Sequence, residues 1–140
     1  MERTQTFAPG GAFVLTRKVL IVEDDPDQAA ALAIHLEQSG YTVIKASDTA
    51  AVVPMAARES PDVILLDLGL PGGGGLTVLA RLRSALETSR TPVIVISGSG
   101  VDPDWVIAAG AQGYFEKPAD PDVVIRAIQR VLAPQRPLEA

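Results

Sequence analysis

The chain has no cysteine among its 140 residues, which excludes disulfide bonds, thiolate metal sites and cysteine nucleophiles. No apolar run comes near the roughly 20 residues of a membrane-spanning helix, and the N-terminus lacks the apolar segment of a signal peptide. Basic residues are few, with 12 Lys and Arg against 17 Asp and Glu, and they form no stripe that would bind a nucleic-acid backbone. We therefore expect a cytoplasmic protein that binds neither membranes nor nucleic acids directly.

Apolar residues make up 47% of the chain, which is enough for the core of one domain. Three short runs are continuously apolar and rich in β-branched residues, as strands buried on both faces are: residues 19–22, 63–66 and 93–96. Weaker strands are predicted at 41–46 and 113–116. Segments with a helical spacing of apolar residues separate the five strands. This alternation predicts a doubly wound α/β fold, with a five-stranded parallel sheet between two layers of helices.

Helix starts are marked by an Asp-Pro-Asp sequence at residues 25–27, 102–104 and 120–122. In each, the first Asp is a predicted N-cap, Pro fits the first helical turn, and the second Asp favours the positive end of the helix dipole. Asp48 is a further predicted N-cap. Because Pro54 lies about six residues into that helix, we expect a kink or a late start there.

The two ends of the chain show no periodicity, so residues 1–16 are predicted to be a flexible N-terminal extension and 134–140 a flexible tail. The folded domain is then expected to span residues 17–133. One of its predicted helices carries leucines at helical spacing, namely Leu79, Leu82 and Leu86.

Chemically active side chains follow four of the predicted strands. Glu23 and Asp24 end the first strand, Asp67 the third, Ser97 the fourth and Lys117 the fifth. In an open parallel sheet, ligands bind beyond the carboxyl ends of the strands, so these side chains should meet at one edge. Carboxylates 4 Å apart repel by about 4 kcal/mol at an effective dielectric of about 20, which calls for a cation. Oxygen ligands without His or Cys favour Mg²⁺.

Asp67 is the predicted nucleophile toward a phosphoryl group, which would give an aspartyl phosphate. The Lys117 ammonium and the metal would neutralise the phosphoryl oxygens, and the Ser97 hydroxyl would donate a hydrogen bond to the attached group. The glycines after Asp67 leave the backbone accessible, so the carbonyl of Gly69 is a candidate metal ligand.

With these residues in place, the sequence resembles the receiver domains of two-component response regulators. The matching stretches cover nearly the whole predicted domain: KVLIVEDD (18–25), VILLDLGLPGGGG (63–75), PVIVISG (92–98) and GAQGYFEKP (110–118). The resemblance implies a flavodoxin-like fold, similar to the chemotaxis regulator, whose five parallel strands lie in the order 2-1-3-4-5. This strand order is implied by the resemblance alone.

The resemblance also implies roles for individual residues. Asp67 matches the phosphoacceptor, and Glu23 and Asp24 match the acidic pair that holds Mg²⁺ with it. Ser97 matches the switch hydroxyl, 30 residues after Asp67 as is usual in the family. Lys117 matches the lysine that precedes a proline, usually through a cis bond, and Tyr114 matches the aromatic residue that moves with the switch.

The region after Ser97 and the glycine run after Asp67 depart from the family pattern. Lys117 follows Ser97 by 20 residues, about two fewer than usual, and the helix capped by Asp102 is predicted to span only residues 103–109. The usual output surface is therefore expected to be remodelled. The glycines at 72–75 replace larger residues. The only tryptophan, Trp105, belongs either to internal packing or to an interface.

These observations predict a phosphoacceptor module that takes its phosphoryl group from a sensor histidine kinase or a histidine phosphotransfer protein and switches the binding of an unidentified downstream protein. It would be no enzyme beyond slow self-dephosphorylation, and homodimer formation stays open. One alternative is a receiver-like interaction module that works without phosphorylation. Another is an aspartyl-phosphate hydrolase of the haloacid dehalogenase type, but that chemistry needs a second Asp where this chain has Gly69.

Overall fold

A computed structural model describes residues 5–7, 13–69, 74–98 and 100–133. Two short strands, β1 (Gln5–Phe7) and β2 (Phe13–Leu15), pair antiparallel ahead of the main sheet. The sequence predicts neither strand, because three residues are too few to show a period of two. The predicted flexibility of residues 1–16 stays a prediction, and the predicted tail at 134–140 lies outside the described residues.

The main sheet has five parallel strands whose order confirms the predicted fold. They are β3 (Lys18–Val22), β4 (Thr42–Ala46), β5 (Val63–Leu66), β6 (Val93–Ser97) and β7 (Gly113–Glu116). Their spatial order is β4-β3-β5-β6-β7, which is 2-1-3-4-5 when counted within this sheet. The strand order reverses between β3 and β5, so the carboxyl ends of these two strands flank the crevice in which such folds bind ligands.

Five helices connect the strands: α1 (Pro26–Gln38), α2 (Thr49–Glu59), α3 (Gly74–Ser84), α4 (Pro103–Ala108) and α5 (Pro121–Leu132). All three Asp-Pro-Asp sequences begin helices as predicted. The Asp25 carboxylate accepts hydrogen bonds from the N–H groups of Asp27 and Gln28, at 2.9 and 3.3 Å. The carboxylates of Asp102 and Asp120 each accept one from the residue two positions on.

Apolar side chains fill both faces of the sheet, because successive residues of each strand point to opposite sides. One face packs against α1 and α5, with Val19, Ile21, Leu36, Leu65 and Ile128 at its centre. The other packs against α2, α3 and α4, with Leu20, Val52, Ile64, Leu79 and Val106 at its centre. Among the described residues, no helix is long and apolar enough to cross a membrane.

The structure differs from two of the predictions about helices. Helix α2 begins at Thr49, directly after Asp48, so of the two predicted outcomes the late start is wrong, and a kink at Pro54 stays a prediction. The helix tolerates Pro54 because this residue and Ala50, whose carbonyl loses its helical partner, are both exposed to water.

The second difference concerns Leu86, which is 89% exposed and lies beyond the end of α3 at Ser84. The buried Thr88 hydroxyl donates a 2.6 Å hydrogen bond to the carbonyl of Leu82, which satisfies a carbonyl that the ending helix leaves free. The apolar stripe therefore stops at Leu82. Helix α4 is as short as expected, ending one residue before its predicted end.

Candidate functional site

The parallel sheet brings the predicted site residues to one edge. Asp67 directly follows β5, and Ser97 is the last residue of β6. Glu23 and Asp24 follow β3, which lies between β4 and β5. Lys117 follows β7, the outermost strand on one side of the sheet. Since all five strands run in one direction, these residues leave the sheet at the same end.

Lys117 binds two carboxylates at once. Its Nζ lies 2.6 Å from Glu23 Oε1 and 3.0 Å from Asp67 Oδ2. All three side chains are partly buried, so solvent screens these contacts less than it screens surface ion pairs. The ammonium therefore offsets the repulsion between two acids that the fold forces together.

The second oxygen of Asp67 accepts two further hydrogen bonds. The backbone N–H of Gly69 donates to Oδ1 at 2.9 Å, and the buried Ser97 hydroxyl donates to the same oxygen at 3.4 Å. Asp67 itself is only 8% exposed. Its carboxylate is thus held on both oxygens, with the Lys117 ammonium beside Oδ2 and the Ser97 hydroxyl beside Oδ1.

Three carboxylates at this edge form a set that fits a hard divalent cation. Oxygen atoms of Glu23, Asp24 and Asp67 all lie within 4.8 Å of one another. Asp24 is exposed, so a cation bound here would keep contact with water, as Mg²⁺ does in protein sites. The proposed ligand role of the Gly69 carbonyl stays a prediction.

The charge states of the site follow from these contacts. Burial disfavours the charged form of Asp67, but hydrogen bonds from Gly69 and Lys117 outweigh burial and lower its pKa. Burial raises the pKa of Glu23, and the nearby Asp67 adds to this, although Lys117 acts in the opposite direction. Burial would lower the pKa of Lys117, but its two carboxylate partners raise it. Asp67 is therefore an ionised carboxylate beside a charged ammonium.

Tyr114 reaches the backbone that follows Ser97. Its hydroxyl donates to the carbonyl of Gly98, the residue after Ser97, across 3.5 Å, and its ring is partly buried. The Lys117–Pro118 bond is cis, as the resemblance implies.

The sequence alone does not predict two features of the site. Gly75 sits so close to the preceding loop that a Cβ would lie 2.5 Å from Leu68 Cα and 2.6 Å from the Asp67 carbonyl oxygen. The requirement for glycine there comes from close approach of backbones, and four consecutive glycines hide which of them is needed.

The second missed feature is a cleft of about 450 Å³ that opens beside Asp67 and Lys117. Its walls are mostly apolar and come from α1, from the segment that joins β7 to α5 and from α5 itself, including Ala31, Leu32, Pro118 and Val124. In the sequence, these residues look like ordinary core positions. The cleft becomes visible only when α1 and α5 are packed on the sheet.

The fold and these contacts define a receiver domain, and comparison with known proteins agrees. The family model of the response regulator receiver domain matches residues 19–129. The chain therefore belongs to this family.

Two curated relatives illustrate the range of its similarity. Protein PilH of Pseudomonas aeruginosa is 36% identical over 118 residues, which cover 83% of this chain and 98% of PilH. The transcriptional regulatory protein KdpE of Mycobacterium tuberculosis is 45% identical over 102 residues, covering 71% of this chain and 44% of KdpE. The chain thus spans nearly all of the first relative and less than half of the second.

Solved structures show the same likeness. A response regulator structure from Chloroflexus aurantiacus superimposes with a TM-score of 0.79 at 28% identity, covering 84% of this chain and 98% of that one. The receiver domain of a sensor histidine kinase from Pseudomonas aeruginosa has a TM-score of 0.76 at 28% identity, with the same coverage. That structure is described with a magnesium ion coordinated in its active-site cleft.

Proposed function

We propose that this domain accepts a phosphoryl group on Asp67 and passes the signal on by a change in its binding surface. The observation that carries the proposal is the environment of one carboxylate: Lys117 lies 3.0 Å from one oxygen of Asp67, and the Ser97 hydroxyl lies 3.4 Å from the other. An ordinary acid at a strand end needs neither an ammonium nor a hydroxyl.

The proposed reaction transfers phosphoryl from a phosphohistidine of a sensor kinase or a phosphotransfer protein. An Asp67 oxygen attacks phosphorus, an O–P bond forms, the N–P bond of the donor breaks, and the departing imidazole takes up a proton. The lowered pKa of Asp67 keeps this oxygen ionised. Lys117 and Ser97 then hold oxygens of the attached group, which carries about −1.5 to −2 charges in place of the single negative charge of the carboxylate.

Glu23, Asp24 and Asp67 would hold the Mg²⁺ ion, with the Gly69 carbonyl as a further proposed ligand. Bound there, Mg²⁺ supplies positive charge that neutralises the phosphoryl oxygens. Support comes from the all-oxygen donor set and from the related receiver domain described with magnesium in its cleft.

A proposed role as a switch, with at most slow self-dephosphorylation, is favoured over hydrolysis. In the hydrolase alternative, a second acid two residues after the nucleophile would donate and accept protons. This chain has Gly69 there, and its backbone N–H is already bonded to Asp67. A module that works without phosphorylation is disfavoured because it would have no use for the Lys117 and Ser97 contacts.

The proposed setting is a cytoplasmic two-component pathway, with a histidine kinase or phosphotransfer protein as donor and a protein partner downstream. The cleft of about 450 Å³ beside Asp67 supports access by a protein donor, because its apolar walls adjoin the reacting carboxylate. Homodimer formation stays open.

The test is to incubate the protein with Mg²⁺ and acetyl phosphate and to measure its intact mass. We expect one added phosphoryl group, which EDTA or Asp67→Asn abolishes. Asp62→Asn is the matched control. Asp62 precedes β5, at the end of the strand opposite to Asp67, so its replacement should leave the adduct unchanged. Steady phosphate release would favour the hydrolase, and no adduct would reject phosphorylation.

A further inference from the structure

A second groove, of about 470 Å³, lies on the other side of the site from the cleft beside α1. It runs between the start of α3 and the segment leading into α4. Its apolar walls are Leu68, Leu76, Val101 and the ring of Trp105. Trp105 is the only tryptophan of the chain, and it is 58% exposed.

An exposed tryptophan beside other apolar side chains is a feature of binding surfaces. Single exposed apolar residues are common and need no explanation, but tryptophan in a groove is among the residues that contribute most to protein interfaces. Helix α4 has six residues, and Val106 is its one buried side chain. Val106 therefore anchors this helix to the core, whereas more than half of Trp105 stays in contact with solvent.

The charge around the groove is acidic. Asp102 lines it, and Asp104 follows two residues later; both are exposed. One oxygen of Asp102 accepts the N–H of Asp104 at 3.0 Å, and neither carboxylate forms an ion pair within the described part of the chain. Among the described residues that line the groove there is no Lys or Arg. A partner that complements this surface carries positive charge.

We propose that this groove binds a basic segment of a partner protein, which inserts one bulky apolar or aromatic side chain against Trp105 and flanks it with Lys or Arg. The proposal goes beyond phosphoacceptance and does not depend on it. The groove is well placed to bind a partner next to the site. Leu68 directly follows Asp67, and Val101 lies in the segment that follows Ser97. The two walls thus continue from the strands that carry the site.

The test starts with a displayed library of random dodecapeptides, selected on the unphosphorylated 140-residue chain. We expect the enriched peptides to combine one bulky apolar residue with two or more Lys or Arg. A fluorescein-labelled copy of the most enriched peptide is then titrated with each protein variant, and binding is followed by anisotropy.

Trp105→Ala should lower the affinity for this peptide at least about tenfold, the loss typical of a residue that dominates an interface. Ile107→Ala is the matched control. Ile107 belongs to the same short helix and is 46% exposed, but it does not line the groove, so its removal should leave affinity unchanged. Equal circular dichroism and thermal midpoints of the two variants would show that both are folded.

The charge is tested by Asp102→Asn, which keeps a good N-cap while removing the carboxylate. We expect about threefold weaker binding and a shallower dependence on salt. Asp120→Asn makes the same change at the N-cap of α5 and should have no effect. The proposal is overturned if no peptide is enriched, if the enriched peptides are acidic, or if they bind Trp105→Ala as well as the wild type. Since no phosphodonor is present, none of these results bears on Asp67.

Discussion

The ammonium of Lys117 lies closer to Glu23 than to the proposed phosphoacceptor, with Nζ 2.6 Å from Glu23 Oε1 and 3.0 Å from Asp67 Oδ2. Lys117 is thus shared between a proposed metal ligand and the proposed nucleophile. Without a metal, this one cation offsets two carboxylates. A divalent cation bound to these acids, as proposed, would weaken the attraction of Glu23 for Lys117 and would leave the ammonium available to a phosphoryl oxygen.

Mg²⁺ should stabilise the folded protein, because it binds an acid cluster that exists only after folding. At a concentration 100 times the dissociation constant, the gain in the free energy of unfolding is about 2.7 kcal/mol. Differential scanning fluorimetry with and without Mg²⁺ measures the shift. Asp24→Asn should reduce it, whereas Asp27→Asn, which lies on the exposed first turn of α1, should not. A shift of equal size in Asp24→Asn would count against the site.

Lys117→Met should have opposite effects on two properties of the site. Removing the ammonium leaves the carboxylates with less positive charge around them, so the affinity for Mg²⁺ at pH 8 should rise several-fold. Phosphorylation by acetyl phosphate should slow by at least about tenfold, because charge stabilisation of the transferred oxygens is lost. Calorimetry and intact mass measure the two quantities. Lys45→Met, an exposed lysine on β4, is the control. Parallel losses in both properties would contradict the assignment.

The affinity for Mg²⁺ should fall as the pH decreases, and the fall should begin at a higher pH than for an ordinary glutamate. The pKa of Glu23 is raised by burial, so at a given pH more of this carboxyl is protonated and unable to bind a cation. Glu23→Gln should bind Mg²⁺ more weakly at neutral pH but with a flatter pH dependence. Calorimetric titrations from pH 5 to pH 8 test this, and identical pH slopes in the two proteins would refute it.

Gly75→Ala should destabilise the fold by about 1–3 kcal/mol, the usual cost of overpacking, because the new Cβ would meet backbone atoms that cannot move aside freely. Gly98→Ala is the matched change, since a Cβ there meets nothing within 4 Å. Its effect on the free energy of unfolding should stay within about 0.5 kcal/mol. Urea denaturation of both variants measures the difference, and equal midpoints would show that the close approach is not needed.

Arg83→Met should cost about 2–3 kcal/mol of stability, because several carbonyls lose a charged donor. The Arg83 guanidinium donates to the carbonyls of Thr91 at 2.7 Å and Gly110 at 2.8 Å, and so joins the end of α3 to the turn after α4. Arg83→Lys should recover little, since an ammonium cannot bridge both positions in the same geometry. Arg81→Met, on the exposed side of α3, is the control. Full recovery by Lys would show that charge alone matters.

Most strand positions could be predicted because strands buried on both faces are continuous apolar runs. Local sequence signals also predict the strand β7 and the N-caps Asp25, Asp102 and Asp120. Leu86 was misplaced because helical spacing alone does not show where a helix ends. The end of α3 depends on Thr88, whose hydroxyl bonds back to a carbonyl six residues earlier.

The order of residues along the chain was sufficient to place Glu23, Asp67, Ser97 and Lys117 at one edge, because parallel strands all end on the same side. It was not sufficient to say which of them touch. The contact of Lys117 with Glu23 joins residues 94 positions apart, and it depends on β3, β5 and β7 lying in one sheet. The need for glycine at 75 and the groove beside Trp105 arise in the same way, from the approach of segments that are distant in sequence. Local patterns record propensity and periodicity, whereas such contacts exist only after the chain has packed.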